Sequence, residues 1–224
     1  MSRQMPLGQD KSAKTNALAP VHPVNSAVDL SVVIPLYNED DSVGPLLSAL
    51  TTTFGGGQEQ AISSEQCEVV LVDDGSRDQT YESAVKAAAD SGLAVTVLRL
   101  QRNFGQTAAM QAGIDAARGR LIATLDGDLQ NDPADIPRMV AHLEANDLDL
   151  LVGRRRKRQD GLLLRLIPSW IANRLIAKVT GVQIHDYGCS LKIYRASVIK
   201  QVKLMGEMHR FIPAWVAAVT HPSK

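Results

Sequence analysis

Leu121-Ile122-Ala123-Thr124-Leu125-Asp126-Gly127-Asp128-Leu129-Gln130 joins an apolar run to two carboxylates and an amide. A short run of this kind, bounded by a polar turn, reads as a strand buried on both faces. Acidic groups just past the carboxyl end of such a strand stand where open α/β sheets bind their ligands. Two carboxylates spaced i, i+2 can share a hard divalent cation, Mg²⁺ or Mn²⁺, through oxygen. A cation held there is suited to neutralise a diphosphate leaving group.

Outward from this stretch the pattern alternates strand and helix. Strands are predicted at Leu30–Pro35, Glu68–Val72, Ala94–Leu100, Leu121–Leu125 and Leu148–Val152. Helices are predicted at Asp41–Phe54, Gln79–Ala89, Gln106–Arg118 and Asp135–Glu144, with a Gly-rich loop over Phe54–Gln66. This alternation argues for an α/β fold with a mostly parallel, doubly wound sheet flanked by helices. Residues 1–28 are rich in Pro, Ser, Asn, Gln and Ala without apolar period and read as a disordered tail.

The chain has 224 residues, enough for one domain with a sizeable core, and its 45% apolar content is that of a soluble globular protein. Formal net charge is zero, so overall charge draws it to no nucleic acid. Charge is nonetheless segregated. Residues 126–135 cluster Asp126, Asp128, Asp132 and Asp135, whereas residues 151–182 carry eight basic side chains against Asp160 alone, a net +7. An acidic metal site followed by a basic strip suits a phosphate-bearing substrate; a solvated basic face gives the same pattern. Cys67 and Cys189 lack metal-ligand spacing and read as free thiols of a reducing compartment. No apolar run reaches the ~18 residues of a membrane span, and no signal-peptide core is visible.

Residues 162–179, LLLRLIPSWIANRLIAKV, set Leu162, Leu163, Leu166, Ile167, Trp170, Ile171, Leu175, Ile176 and Val179 near one helical face, interrupted by Arg165, Arg174 and Lys178. Pro168 should break or kink this helix. A basic amphipathic segment with a Trp can lie in a membrane interface, or pack on the sheet as an ordinary helix.

Polar turns follow the other predicted strands. After the first, Pro35 stops the ladder, Tyr37 can offer a flat ring to a base, and Glu39 can accept hydrogen bonds from a ribose or base. After the second, Val72-Asp73-Asp74-Gly75-Ser76 presents carboxylates that can pair with the N–H edge of a base, although Asp-Gly also marks a plain turn. After the third, Gly105 permits a tight entry into a helix whose N-terminus favours anions. No G-x-G-x-x-G, G-x-x-x-x-G-K-[ST] or G-x-S-x-G is present, which argues against dinucleotide-binding, P-loop and serine-hydrolase readings. His185 and Asp186 are adjacent, so in an extended segment they point apart and make a poor catalytic pair. Parallel strands bring the carboxylate turns to one edge, and that convergence argues for an active site.

SVVIPLYNED (31–40), VVLVDDGSRDQT (69–80), RNFGQTAAMQAGIDAARG (102–119), TLDGDLQNDP (124–133), HDYGCSLKIYR (185–195) and GEMHRFIPA (206–214) together resemble family 2 glycosyltransferases of the GT-A fold. The likeness covers about residues 30–215 and is strongest to the branch of dolichyl-phosphate mannosyltransferase and bacterial undecaprenyl-phosphate sugar transferases. It implies inverting transfer of a sugar from a UDP- or GDP-sugar to a polyprenyl phosphate. By this resemblance Pro35, Tyr37, Glu39 and Asp73 bind the nucleoside, with Gly105 beside them. Asp126 and Asp128 are the D-x-D residues, and Gln130 a further metal position for Mg²⁺ or Mn²⁺. Arg155, Arg158 and Arg174 are candidates for the acceptor phosphate, and Asp186 is a catalytic candidate without a settled role.

The resemblance further implies a protein peripheral to the cytoplasmic face of the inner membrane, with the membrane surface as a partner, no nucleic acid, and a homo-oligomer left open. Two departures stand out. Trp170 occupies a position that is usually basic, and the family continues past the equivalent of Lys224 with a strand, a basic loop and often two membrane helices. The expected organisation is therefore a tail over 1–28 and a GT-A domain over 29–224 truncated at its C-terminus. The alternatives are a soluble glycosyltransferase with a saccharide or protein acceptor, and an inactive nucleotide-sugar-binding remnant.

Overall fold

The computed structural model describes residues 15–17, 27–55, 62–153 and 189–220. Thr15–Ala17 (β1), Leu30–Leu36 (β2), Cys67–Asp73 (β3), Ala94–Leu100 (β4), Leu121–Thr124 (β5), Leu150–Val152 (β6) and Lys192–Arg195 (β7) form one sheet in the order β1-β4-β3-β2-β5-β7-β6. β2, β3, β4 and β5 are mutually parallel. β7 runs against both β5 and β6, and β1 against β4. Val, Ile and Leu dominate β2 and β3, which are buried at every position, because β-branched side chains pack well on a pleated surface covered from both sides.

Asp40–Phe54 (α1), Thr80–Asp90 (α2), Gln106–Ala116 (α3) and Asp135–Ala145 (α4) supply the covering layers. On one face Leu46, Leu50 and Phe54 of α1, Ala84 and Ala88 of α2, and Ile136 and Leu143 of α4 pack with Val32, Ile34, Val69 and Leu71. On the other, Met110 and Ile114 of α3 join Ile212 and Val216 of the helix Ile212–Val219 against Val33, Val70 and Val72. Gly113 lets α3 lie close to the sheet, since a Cβ there would come within 2.3 Å of Val33 Cγ1. At the N-terminal ends of the strands, buried Glu68 accepts Ser31 Oγ at 2.6 Å, the Arg118 amide at 2.6 Å, and Arg118 Nε and Nη2 at 2.8 and 2.6 Å. Ser31 Oγ in turn accepts the Gly119 amide at 2.7 Å. This cluster fastens the turn between α3 and β5 to the start of β2.

The chain order reverses between β2 and β5, which is where a doubly wound sheet opens a crevice. β5 pairs with β2 only from Leu30↔Leu121 to Val33↔Thr124, whereas β2 continues beside β3 as far as Leu36↔Asp73. Leu125 donates to the Val33 carbonyl at 3.1 Å, so Val33 turns its backbone groups toward β5. Pro35 has the same parity, and its missing N–H therefore faces the opening rather than β3. That parity is why a proline is tolerated in a central strand. The expectation that Pro35 ends the ladder is corrected: β2 runs through it to Leu36, and only the β5 side of the pairing stops.

Three further differences have local causes. Thr15–Ala17, within the expected tail, pairs with Leu98–Leu100 as an edge strand. The strand expected from Leu148 begins at Leu150, because Asn146–Asp147 form a turn with Asp147 at φ 51°. β6 does not adjoin β5; β7 is inserted between them and brings an antiparallel element into the sheet. Residues 154–188 fall outside the described residues, and with them the amphipathic segment, Pro168 and Trp170.

Candidate functional site

Past the ends of β2, β3 and β5 lies a cleft of about 340 Å³, lined by Pro35, Leu36, Tyr37, Glu39, Asp74, Asn103, Gln106, Asp126, Gly127 and Asp128. Its base is the gap that Pro35 leaves between β2 and β5. Gly127 sits in the tightest part, where a Cβ would approach Leu36 Cδ2 to 2.6 Å. Across the opening, Tyr37 is exposed and Glu39 half-buried. The loop that carries them is fastened to the one after β3: Asn38 N–H donates to Ser76 Oγ at 3.0 Å, Asn38 Oδ1 accepts the Arg77 amide at 3.0 Å, and Glu39 N–H donates to Thr80 Oγ1 at 2.8 Å.

Asp73 and Asp74 have separate tasks. Asp73 is fully buried, accepts the Ser76 amide on Oδ1 at 3.0 Å, and has Arg99 Nε 3.4 Å from Oδ2. Oδ2 has no hydrogen-bond partner among the described residues, so the Arg99 approach is an ion pair without hydrogen-bond geometry. Asp73 does not belong to the cleft lining; Asp74 does. Asp74 also accepts the Phe104 and Gly105 amides, both at 2.8 Å, tying the loop after β4 to the loop after β3. Burial, aided by the charge of Asp73, holds its carboxyl above the usual range against the pull of those two amides. The two loops meet so closely that a Cβ on Gly75, at φ +66°, would lie 2.4 Å from the Arg102 carbonyl carbon.

Gly105, at φ +96°, turns the chain into α3, and its neighbour Gln106 reaches into the cleft to donate from Nε2 to Asp126 Oδ1 at 2.8 Å. Asp126 is half-buried and Asp128 exposed, both on the cleft. Burial raises the Asp126 carboxyl above its ordinary value and the like charge of Asp128 adds to the rise, while Ser190, Lys192 and His209 oppose it. Two hard carboxylates thus crowd one opening, at a cost that a divalent cation would remove. Among the described residues no three His, Cys, Asp or Glu side chains converge as a metal cage. Two carboxylates do fit a small hard cation that takes its other ligands from water and substrate phosphates.

Gln130 is exposed outside the cleft lining; its backbone N–H donates to Asp128 Oδ1 at 3.1 Å and so turns that carboxylate. Leu129 between them holds φ 59°, strain that a β-carbon-bearing residue accepts only where its surroundings impose it. Arg155, Arg158, Arg174 and Asp186 lie outside the described residues. The structure therefore brings Pro35, Tyr37, Glu39, Asp126 and Asp128 to one cleft, sets Gly105 behind it, and replaces Asp73 with Asp74 in the lining. Sequence reasoning passed over Asn103 and Gln106. The signal for Gln106 was its place in the first turn of a helix entered from the glycine.

The Glycosyl transferase family 2 profile matches residues 31–203. The chain is 62% identical over 202 residues to the dodecaprenyl-phosphate galacturonate synthase of Rhizobium johnstonii, covering 90% of this chain and 58% of that protein. It is 43% identical over 190 residues to the undecaprenyl-phosphate 4-deoxy-4-formamido-L-arabinose transferase of Pseudomonas aeruginosa, covering 83% and 53%. The chain thus spans somewhat over half the length of these relatives. Among solved structures it is similar to the mannosyltransferase PcManGT of Pyrobaculum calidifontis in complex with GDP-Man and Mn²⁺, at TM-score 0.60 and 20% identity over 88% of this chain and 55% of that one. It is also similar to the glucosyl-3-phosphoglycerate synthase of Mycobacterium tuberculosis in complex with Mg²⁺ and UDP, at TM-score 0.56 and 17% identity over 78% and 59%. These likenesses show the GT-A fold, and with the profile match they establish that the chain belongs to glycosyl transferase family 2.

Proposed function

We propose that the chain carries the donor-binding and catalytic site of a metal-dependent glycosyltransferase that moves a sugar from a UDP- or GDP-sugar to a polyprenyl phosphate at the cytoplasmic membrane face. The observation that carries this reading is the shared cleft: Glu39 and Asp74 on one wall, Asp126 and Asp128 on the other, at the point where the sheet order reverses. The prenyl-phosphate acceptors named for both relatives support the lipid acceptor. The higher identity to the galacturonate synthase favours a uronic acid as the sugar over formamido-arabinose.

In this reading the base and ribose lie against Tyr37, Glu39 and Asp74, the carboxylates accepting N–H and O–H groups. Asp126 and Asp128 hold Mg²⁺ or Mn²⁺, which when bound offsets charge on the departing diphosphate. An acceptor phosphate oxygen forms the new bond to the anomeric carbon as the bond to the diphosphate breaks on the opposite side, inverting the centre. A phosphate is already anionic near neutral pH, so the chain needs no strong general base. Its work is alignment and charge stabilisation. Arg155, Arg158 and Arg174 are the candidates for the acceptor phosphate, and Asp186 stays without an assigned step.

The test is transfer of labelled sugar to polyprenyl phosphate with Mg²⁺ or Mn²⁺. Asp128→Ala is expected to lose on the order of 10²-fold or more in rate. Full activity in that variant would refute the metal site, and equal transfer to a free saccharide hydroxyl would refute the lipid acceptor.

A further inference from the structure

Gln106, Met110 and Gly113 stand at i, i+4 and i+7, one side of α3. Met110 and Gly113 are buried on the sheet, whereas Gln106 is exposed on the cleft lining. A polar side chain on the sheet-facing row thus meets the opening between β2 and β5 rather than the core. There its Nε2 donates to Asp126 Oδ1 at 2.8 Å. Both chain neighbours of Gln106 are fixed. The Gly105 N–H donates to Asp74 Oδ2 at 2.8 Å, and the Gly105 carbonyl accepts the Ala108 and Ala109 amides at 2.9 and 3.2 Å. Thr107 is buried, and its Oγ1 lies 2.6 Å from His209 Nδ1, a hydrogen bond that ties the first turn of α3 to the turn Met208–Phe211.

We infer that Gln106 is a positioning residue that orients the Asp126 carboxylate for the divalent cation, an assignment that rests on the metal-dependent reading above. The two carboxylates of the cleft are held in different ways. Asp128 accepts the Gln130 backbone N–H from within its own loop at 3.1 Å, whereas Asp126 accepts a side chain from an element 20 residues away. The direction of Asp126 therefore depends on where α3 sits, and α3 is seated by the close approach of Gly113 to Val33. A neutral amide suits this task. It donates one N–H to a carboxylate with about four acceptor directions and brings no charge of its own. An ammonium or guanidinium in its place would hold the carboxylate but repel the cation. Partners that orient a metal ligand typically control about 10–100-fold in metal affinity. Gln106 is exposed, so water can replace part of its hold, and the lower end of that range applies.

The experiment is Mn²⁺ binding to the 224-residue chain, alone and with UDP, read by the electron paramagnetic resonance of free Mn²⁺. UDP and GDP affinities in EDTA and the melting temperature are measured for each variant. Gln106→Met keeps the length of the side chain and removes the donor; Gln106→Ala is the second variant should the first pack badly. Each is expected to weaken Mn²⁺ binding by roughly 10-fold while metal-free nucleotide affinity and melting temperature stay near wild type. Asp128→Ala separates the two levels of the reading: if it binds Mn²⁺ as wild type does, the proposed metal site falls and this inference falls with it. If Asp128→Ala loses Mn²⁺ while both Gln106 variants bind it like wild type, the positioning assignment alone is overturned. It is overturned as well if metal-free nucleotide affinity falls by the same factor as Mn²⁺ affinity, because Gln106 then acts on the donor itself, or if in both variants the loss of Mn²⁺ follows a fall in melting temperature.

Discussion

Replacing Asp74 with Ala removes at one stroke a cleft carboxylate and the link between two loops. Its two oxygens accept the Phe104 and Gly105 amides, each at 2.8 Å. Hydrogen bonds to a charged acceptor contribute about 1.5–3 kcal/mol each, so the gross loss is about 3–6 kcal/mol. Two effects reduce it. Desolvation is the largest influence on this carboxyl and, with the charge of Asp73, holds it above the ordinary range despite both amides, so keeping the charge there is itself costly. Phe104 is also exposed, so water can reach the freed loop. A net loss of about 1–2 kcal/mol is expected, a fall of roughly 2–8 °C in melting temperature for a domain of this size.

The effect on donor binding should be larger. In the proposed reading the variant loses an acceptor for the nucleoside, and the glycine that leads into α3 loses its anchor beside Gln106. A fall in UDP or GDP affinity of roughly 10–150-fold follows from one charged hydrogen bond alone. Isothermal titration of both nucleotides measures it, with Asp73→Asn as the counterpart. Asp73→Asn keeps an oxygen for the Ser76 amide and lies outside the cleft lining, so it should bind nucleotide nearly as wild type does. Asp74→Ala with unchanged affinity, or Asp73→Asn with the larger loss, would refute this division of labour.

Gly75→Ala should cost more stability than Asp74→Ala, about 3 kcal/mol or more, because a left-handed alanine is combined with a 2.4 Å approach to Arg102 backbone that no side-chain rotation relieves; a urea midpoint near wild type would contradict it. Glu68→Ala should cost about 2–3 kcal/mol, below the 3–5 usual for breaking a buried pair because Arg118 is half exposed and can turn to water, while buried Ser31 cannot. Since Glu68 lies about 17 Å along β3 from Asp73, nucleotide affinity should be unchanged in the folded variant, and a parallel loss of binding would show the two ends of the sheet to be coupled.

The parallel centre of the sheet was legible because Leu30–Pro35, Glu68–Val72 and Leu121–Leu125 are short, largely apolar runs between helical periods, a pattern that strands covered on both faces produce. The Asp126–Asp128 turn was legible for the same reason, as polar residues set directly after such a run. Lys192–Arg195 was not placed, since a four-residue strand reveals neither its direction nor its neighbours; only the register Thr124↔Lys192 sets it beside β5. The choice between Asp73 and Asp74 was likewise closed to sequence. Adjacent carboxylates differ in which way the chain leaves the strand, and here Asp73 ends β3 while Asp74 begins the turn that Gly75 completes.

The close packing of Gly153, which follows β6, against the turn that enters β7 has a consequence for how proteins of this kind diversify. Gly153 donates to the Leu191 carbonyl at 2.9 Å, and a Cβ on it would sit 3.1 Å from Cys189 Sγ. Gly153 and Cys189, the described residues on either side of 154–188, are thus held against one another at the β6–β7 edge of the sheet. Replacing residues 154–188 by a stretch of another length is expected to leave the strand register and the proposed donor cleft in place, since loop-closure entropy penalises added length only weakly. In the proposed reading this junction makes the basic stretch a cassette: acceptor preference can change, or be grafted, while the metal site proposed at Asp126 and Asp128 is kept.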